Sequence, residues 1–255
     1  MSGFALPMAT LWWRECVRFL RDRTRAVSAI ATAVLFWVLI GFGLGGSFAP
    51  EGMPGEMGSV EYLYPGTIVF VVLLSAIVGT FSLIQDRREG FLQGVLVAPV
   101  PRSAIALGKI LGGTTIALLQ GVLLLPVAPL LGIPITAAGM LAGLAALFLI
   151  AFAFTALGFI LAWRMESIQG FHGIVNLVLM PMWFLSGALF PVEGAASGLA
   201  ALMRANPVTY GLAAFRGSLY AGAAGGPAAP AAAWIVSAAF AALAFGLAVF
   251  SARGR

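Results

Sequence analysis

The side chains able to do chemistry are few in this sequence, and their spacing does not bring them together. His172 is the single histidine and Cys16 the single cysteine. One histidine cannot build a zinc site or a Ser-His-Asp triad, and one cysteine forms neither an intramolecular disulfide nor a thiolate cluster. Ser186-Gly187 lacks the GXSG surroundings of an intramembrane serine nucleophile, and His172 precedes it. Lys109 lies in "LGKIL", where the upstream glycine of a phosphate loop is missing and Ile110 replaces its hydroxyl residue. The expectation is a chain with no catalytic residue, no metal and no cofactor of its own.

Functional groups concentrate instead in "DRREGFLQGVLVAPVPRSAIALGK", residues 86–109, which holds six charges in 24 residues. One charge at the centre of a spanning helix costs roughly 2.5–3.5 kcal/mol, so six would cost roughly 15–20 kcal/mol and the stretch must lie outside the hydrocarbon. Its spacing predicts a short helix, with Asp86 as the N-cap and Glu89 completing a capping-box pattern. Phe91, Leu92, Val95 and Leu96 form one apolar stripe. Pro99 stops the helix, because the residue before a proline avoids α geometry, and Pro101 suits the first turn of the next. Two readings stay open: a loop helix resting on lipid, or a rigid handle that a partner protein pushes.

The rest of the chain explains where such a handle would be mounted. The sequence is 61% hydrophobic and only 9% charged, with a mean hydropathy of +1.04, which places it among integral membrane proteins. Continuous apolar runs, rather than the alternation of a membrane barrel, predict a helical bundle. Six spans are expected, near 27–48, 63–85, 104–131, 136–163, 168–190 and 231–250. Pro126, Pro129 and Pro181 fall inside them and are tolerated where neighbouring helices satisfy the freed carbonyls. With both termini cytoplasmic, twelve of the fourteen basic residues fall on the inner side, and Glu51, Glu56 and Glu61 on the outer side have no basic neighbour. The positive-inside rule therefore selects that topology.

The net charge of +5 would suit nucleic acid, but the basic residues border apolar runs, so membrane lipid is the expected partner. "LWWRECVRFLRDRTR" predicts an amphipathic helix over 8–26, with Trp12, Cys16, Phe19 and Leu20 near one face and Arg14, Arg18, Arg21 and Arg25 on another. A plain positive-inside anchor is the alternative. The first apolar run follows five arginines without a small-residue cleavage site, so it is expected to be retained as a signal anchor. The chain reads as one membrane domain over 1–255, with spans one to five in 27–190, an outer segment and connector in 191–230, and a sixth span in 231–250. The 191–230 segment is too apolar for a free loop and too broken by Gly and Pro to span, which predicts re-entrant or interfacial helices. "GFGLG" (41–45), "GKILG" (108–112) and "GMLAG" (139–143) have the spacing of close helix packing. Asn176 and Gln120 are polar residues within spans, suited to interhelical hydrogen bonds or to substrate contact. Trp37, Met180 and Phe184 join Asn176 as candidates for lining a substrate path, with packing or interfacial anchoring as the alternative.

"EGFLQGVLVAPVPRSAIALGK" resembles the loop of ATP-binding-cassette type-2 permeases, whose usual form is close to "REXGTLEXLLVXPVSRXXILLGK". Glu89, Gly90, Leu92, Leu96, Pro99, Val100, Arg102, Leu107, Gly108 and Lys109 match it in order. "NLVLMPMWFLSGALFPVE" (176–193) and "NPVTYGLAAFRG" (206–217) are similar to that family's fifth span and outer re-entrant segment, where Asn206, Pro207 and Tyr210 stand. The resemblance implies an inner-membrane exporter permease of bacterial type, without an ATPase site. It would work with a second permease copy, identical or related, and with two ABC ATPase subunits that bind ATP and Mg. It also implies that Glu89, Phe91, Leu92, Val95, Leu96, Pro99 and Arg102 couple the spans to the ATPase. Where family members often carry a glutamate, this chain has Gln93 and Gly94. A secondary transporter driven by an ion gradient is the competing class, and the expected span cores hold none of the carboxylates such proteins use for coupling. A non-transporting assembly subunit is a third.

Overall fold

The computed structural model describes residues 2–22, 27, 31, 34, 35, 38, 59–131, 133, 136–192, 194–220 and 230–253, and among them all regular structure is helical. Helix α1 (Ser2–Arg21) comes first. Most of the first expected span, Trp37 and "GFGLG" lie outside the described residues. Helices α2 (Ser59–Gly79) and α3 (Phe81–Arg88) form one rod broken by a turn at Thr80. Helix α4 (Phe91–Val97) is short. Then follow α5 (Arg102–Leu124), a 3-10 segment (Leu125–Leu131), α6 (Ala137–Arg164) and α7 (Ile168–Phe184). Two helices, α8 (Ser197–Ala205) and α9 (Pro207–Leu219), precede α10 (Pro230–Arg253).

Among the described residues, four helices are long and apolar enough to cross a membrane: Val60–Arg88, Arg102–Leu131, Ala137–Arg164 and Ala231–Arg253. They match the second, third, fourth and sixth expected spans. The fifth is shorter than expected. Its 17 residues rise about 26 Å, less than the roughly 30 Å of bilayer hydrocarbon. The chain then turns back at Leu185–Pro191, and the irregular backbone there is satisfied by protein. Tyr62 Oη donates to the Gly187 carbonyl at 2.9 Å, and Thr209 Oγ1 to the Leu185 carbonyl at 3.3 Å.

Helix α2 is apolar all round, and such a helix belongs in the centre of a bundle. Ile68, Val69, Val72, Leu73 and Ala76 are all buried there, against α5 and α6. Small residues set the approach distances. A Cβ on Gly113 would lie 2.7 Å from Thr155, and one on Gly158 would lie 2.8 Å from Thr80 Oγ1. Helix α10 packs on α6 and α9 through Ala233, Ala241, Ala244, Ala248 and Ala252, while Ile235, Leu243, Leu247 and Phe250 point outward. Small residues inward and large apolar ones outward is the pattern of a helix facing lipid.

The third expected span reaches its full length only by changing geometry. Pro126 and Pro129 remove N–H donors, so the α-helix ends at Leu124 and a 3-10 segment continues it. Tyr64 Oη, from α2, donates to the Leu124 carbonyl at 2.7 Å and to that of Leu125 at 3.2 Å, capping the exposed end. Thr136 caps α6 and Ser167 caps α7, each accepting from the backbone N–H three residues on.

Candidate functional site

Between α3 and α5 the chain makes an elbow. The expected capping box does not form: Asp86 lies inside the last turn of α3, and its carboxylate is taken up by side chains from elsewhere. Gly90 begins α4 instead, at φ +78°, a left-handed conformation in which a Cβ would be strained. Pro99 and Pro101 end the segment in extended backbone, and Arg102 opens α5. Arg87 donates to the carbonyls of Met165 (3.0 Å) and Trp163, and Arg88 to that of Glu166 (3.1 and 2.6 Å). Two cations thus close the C-terminal end of α6, where carbonyls are unpaired and the helix dipole is negative.

The apolar stripe of α4 faces the chain's own interior. Leu92 is 2% exposed within the main core, Leu96 packs against that core, Val95 is half-buried, and Phe91 lies under the Arg14 guanidinium at 3.7 Å. What α4 offers outward is its other edge: Gln93, Gly94, Val97, Ala98 and Pro99, with Val97 87% exposed. Glu89 is also exposed, 3.9 Å from Arg18.

Behind the elbow is a buried ionic cluster joining three segments. Asp86 accepts two bonds from Arg14 (2.9 and 2.7 Å), one from Arg18 (3.0 Å) and one from the Lys109 ammonium, which also reaches Glu15. Asp86 is fully buried, and Lys109 and Glu15 are nearly so. Unpaired, such charges would be prohibitive, so their mutual contact is a condition of folding. Helix α1 contributes Arg14, Glu15 and Arg18 because it lies directly on α5. A Cβ on Gly108 would meet the Met8 carbonyl at 2.7 Å, and one on Gly112 would meet Glu15 at 2.6 Å. "GKILG" is therefore the seat of α1. The buried face of α1 is Leu11, Glu15 and Phe19, while Leu20 is exposed, which corrects the expected grouping. A groove of about 620 Å³ runs along the arginine edge, lined by Trp13, Arg14, Val17, Arg18, Arg21, Asp22 and Glu89.

Residues 8–220, from α1 through the elbow to the end of α9, match the ABC-2 type transporter family. The chain belongs to that family. It is a membrane transport permease. Among curated relatives, the inner membrane transport permease YadH of Escherichia coli (strain K12) is 23% identical over 218 residues, covering 85% of this chain and 84% of YadH. The inner membrane transport permease YhhJ of the same strain is 29% identical over 183 residues, 69% of this chain and 46% of YhhJ. Nodulation protein J of Sinorhizobium fredii (strain NBRC 101917 / NGR234) is 31% identical over 158 residues, 60% of this chain and 58% of that protein.

In this ABC-2 permease, Asn176, Met180 and Phe184 recur at four-residue intervals on one exposed face of α7, beside Leu177. Gln120 is buried in α5. His172 stacks edge-on against Phe81, and Ser186 Oγ donates to the Trp183 carbonyl at 2.6 Å. The α8–α9 pair is well anchored. Asn206 caps α9 by accepting from Val208 N–H (3.1 Å) and donates to the Met182 carbonyl (2.5 Å). Pro207 takes the first helical position, and Tyr210 Oη donates to the Arg204 carbonyl at 2.8 Å. Arg216, expected in an outer loop, is instead buried within α9. It donates to the carbonyls of Tyr62 and Gly187 at 3.2 Å each and lies 4.2 Å from the Tyr62 ring centre.

Proposed function

We propose that this chain is the membrane subunit of an ATP-driven exporter, moving a hydrophobic or amphipathic substrate outward with power from a separate ABC ATPase. One observation carries the reading. Helix α4 presents an exposed edge while its other side is held by Leu92 and Leu96 in the core and by Phe91 under Arg14. The adjoining α3 is locked to α1, α5 and α6 through the Asp86 cluster and the Arg87 and Arg88 carbonyl bonds. A rigid handle of this kind passes an external push to the spans instead of absorbing it. Family membership supports an ABC ATPase as the partner that pushes. The reading has six spans with both termini cytoplasmic, a second permease copy and two ATPase subunits. The exposed face of α7 with Asn176, Met180 and Phe184 would line the path between the copies, and α8–α9 would close its outer end. ATP binding to the closed ATPase dimer biases the spans from an inward- to an outward-favouring arrangement.

The test is co-expression with the ABC ATPase subunit, purification of the complex, and reconstitution into inverted vesicles containing a fluorescent amphipathic dye outside. Copurification, ATP hydrolysis above that of the ATPase alone and ATP-dependent dye uptake are expected. Uptake driven by a proton gradient without the ATPase would overturn the reading in favour of a secondary transporter.

A further inference from the structure

Helix α1 has two unlike edges. Its arginine edge reaches α3 and α4: Arg14 grips both carboxylate oxygens of Asp86 and covers Phe91, and Arg18 bonds Asp86 and, at 2.7 Å, the Gln85 side chain. The face turned away from its buried Leu11, Glu15 and Phe19 side is apolar and exposed, with Leu6, Trp13 and Leu20 spaced seven residues apart and each more than half exposed, Trp13 also bordering the arginine groove. Among the described residues, Asp86 is the one carboxylate paired with three cations, each from a different place: Arg14 and Arg18 on successive turns of α1, and Lys109 on α5. Helix α1 is also seated closely on α5 over Gly108 and Gly112, where Trp12 Nε1 donates to Thr115 Oγ1 at 3.0 Å and Lys109 reaches Glu15, so Asp86 stands where α1, α3 and α5 meet.

We propose that Asp86, in the last turn of α3 before α4, is a positioning residue for coupling: it fixes Arg14, which covers Phe91, and so holds α1 and the elbow that carries α4 as one body. A push on α4 then drags α1, with its Leu6–Trp13–Leu20 edge seated in the lipid headgroup layer, across the membrane surface. The proposal rests on the reading of α4 as the coupling helix. A two-pronged guanidinium–carboxylate bond fixes orientation as well as distance, and burial keeps water from competing for it. An apolar edge bearing an exposed tryptophan fits the headgroup layer, where amphipathic rings collect.

The test uses the full permease with its ABC ATPase in nanodiscs of phosphatidylethanolamine and phosphatidylglycerol. Spin labels are placed at Leu6→Cys and Ala98→Cys in a Cys16→Ser background, with a second pair at Leu6→Cys and Leu202→Cys. In the otherwise unaltered chain, trapping with ATP and vanadate leaves the 6–98 distance constant and changes the 6–202 distance. Asp86→Asn makes the 6–98 distance change on trapping and lowers permease-stimulated hydrolysis roughly fivefold or more, the lower end of coupling between two sites. Asp86→Glu restores both. Should Asp86→Asn fail to accumulate, Arg14→Gln removes the same bond from its half-exposed end and is read identically. A constant 6–98 distance with undiminished hydrolysis in the variant overturns the proposal. Val97→Asp separates the two levels: if it abolishes stimulation while Asp86→Asn alters nothing, only the positioning role falls. If Val97→Asp also changes nothing, the coupling-helix reading falls with it.

Discussion

Arg14 and Asp86, 72 residues apart in sequence, meet in a two-pronged ion pair at 2.9 and 2.7 Å. The bond to Asp86 pushes the Arg14 guanidinium above its already high ordinary value, so its charge is permanent at physiological pH. Removing the carboxylate leaves Lys109 buried with Glu15 alone. Asp86→Asn is expected to cost about 3–5 kcal/mol, as breaking one partner of a buried ion pair does. Thermal unfolding of the purified chain in detergent would show it as a lowered Tm. Adding Lys109→Met should recover part of the loss, and an unchanged Tm for Asp86→Asn would mean the pair is neutral to stability.

The seat of α1 on α5 makes a steric prediction. Gly112→Val places its Cβ inside the Glu15 side chain, and α1 must lift away. Limited trypsin digestion, read at the Arg14, Arg18 and Arg21 bonds, should be faster in this variant. Gly94→Ala serves as the control, since nothing lies within 4 Å of that position and cleavage should be unchanged.

Cys16 is a built-in reporter on the same helix. Burial, and then the negative charge of Glu15, raise its thiol above the ordinary value of 9.0. A raised pKa means less thiolate at any given pH below it, so alkylation by a water-soluble maleimide at pH 7 should be slower than for a free thiol. The rate should keep climbing past pH 9 instead of levelling there. A plateau below that point would show a lowered pKa and contradict the burial.

Tyr64 tests how a proline-broken span is tolerated. Tyr64→Phe keeps the ring and deletes the hydroxyl that caps the Leu124 and Leu125 carbonyls. The expected loss is about 1–3 kcal/mol, the cost of leaving a buried acceptor unpaired. Urea unfolding followed by circular dichroism would measure it.

Much of the architecture could be read from composition and spacing, because a bilayer leaves few choices for a backbone that must bond to itself. Long apolar runs gave α2–α3, α5, α6 and α10. Pro99 and Pro101 predicted the break after α4. The Asp86 cluster was hidden because its members sit 71 and 23 residues apart in sequence, as Glu15, Asp86 and Lys109 do, and each alone reads as a span-end charge. One signal was available. Glu15 falls in phase with Leu11 and Phe19, so it lies on a buried face where a carboxylate requires a cation. Arg216 was hidden too: it falls in the segment expected to hold re-entrant or interfacial helices, and nothing in its spacing marks the carbonyls of Tyr62 and Gly187 that receive it inside the fold. The stripe on α4 was identified correctly as a stripe, but its period alone could not say whether it met a partner or the chain's own core.

That distinction leads to the most direct test of coupling through α4. Permease-stimulated ATP hydrolysis is measured in complexes carrying Val97→Asp or Leu92→Asp, alongside the Tm of each permease. Val97 is 87% exposed and Leu92 is 2% exposed, so Val97→Asp should leave the Tm unchanged and abolish stimulation, whereas Leu92→Asp should lower the Tm. Full stimulation by a folded Val97→Asp permease would contradict the account.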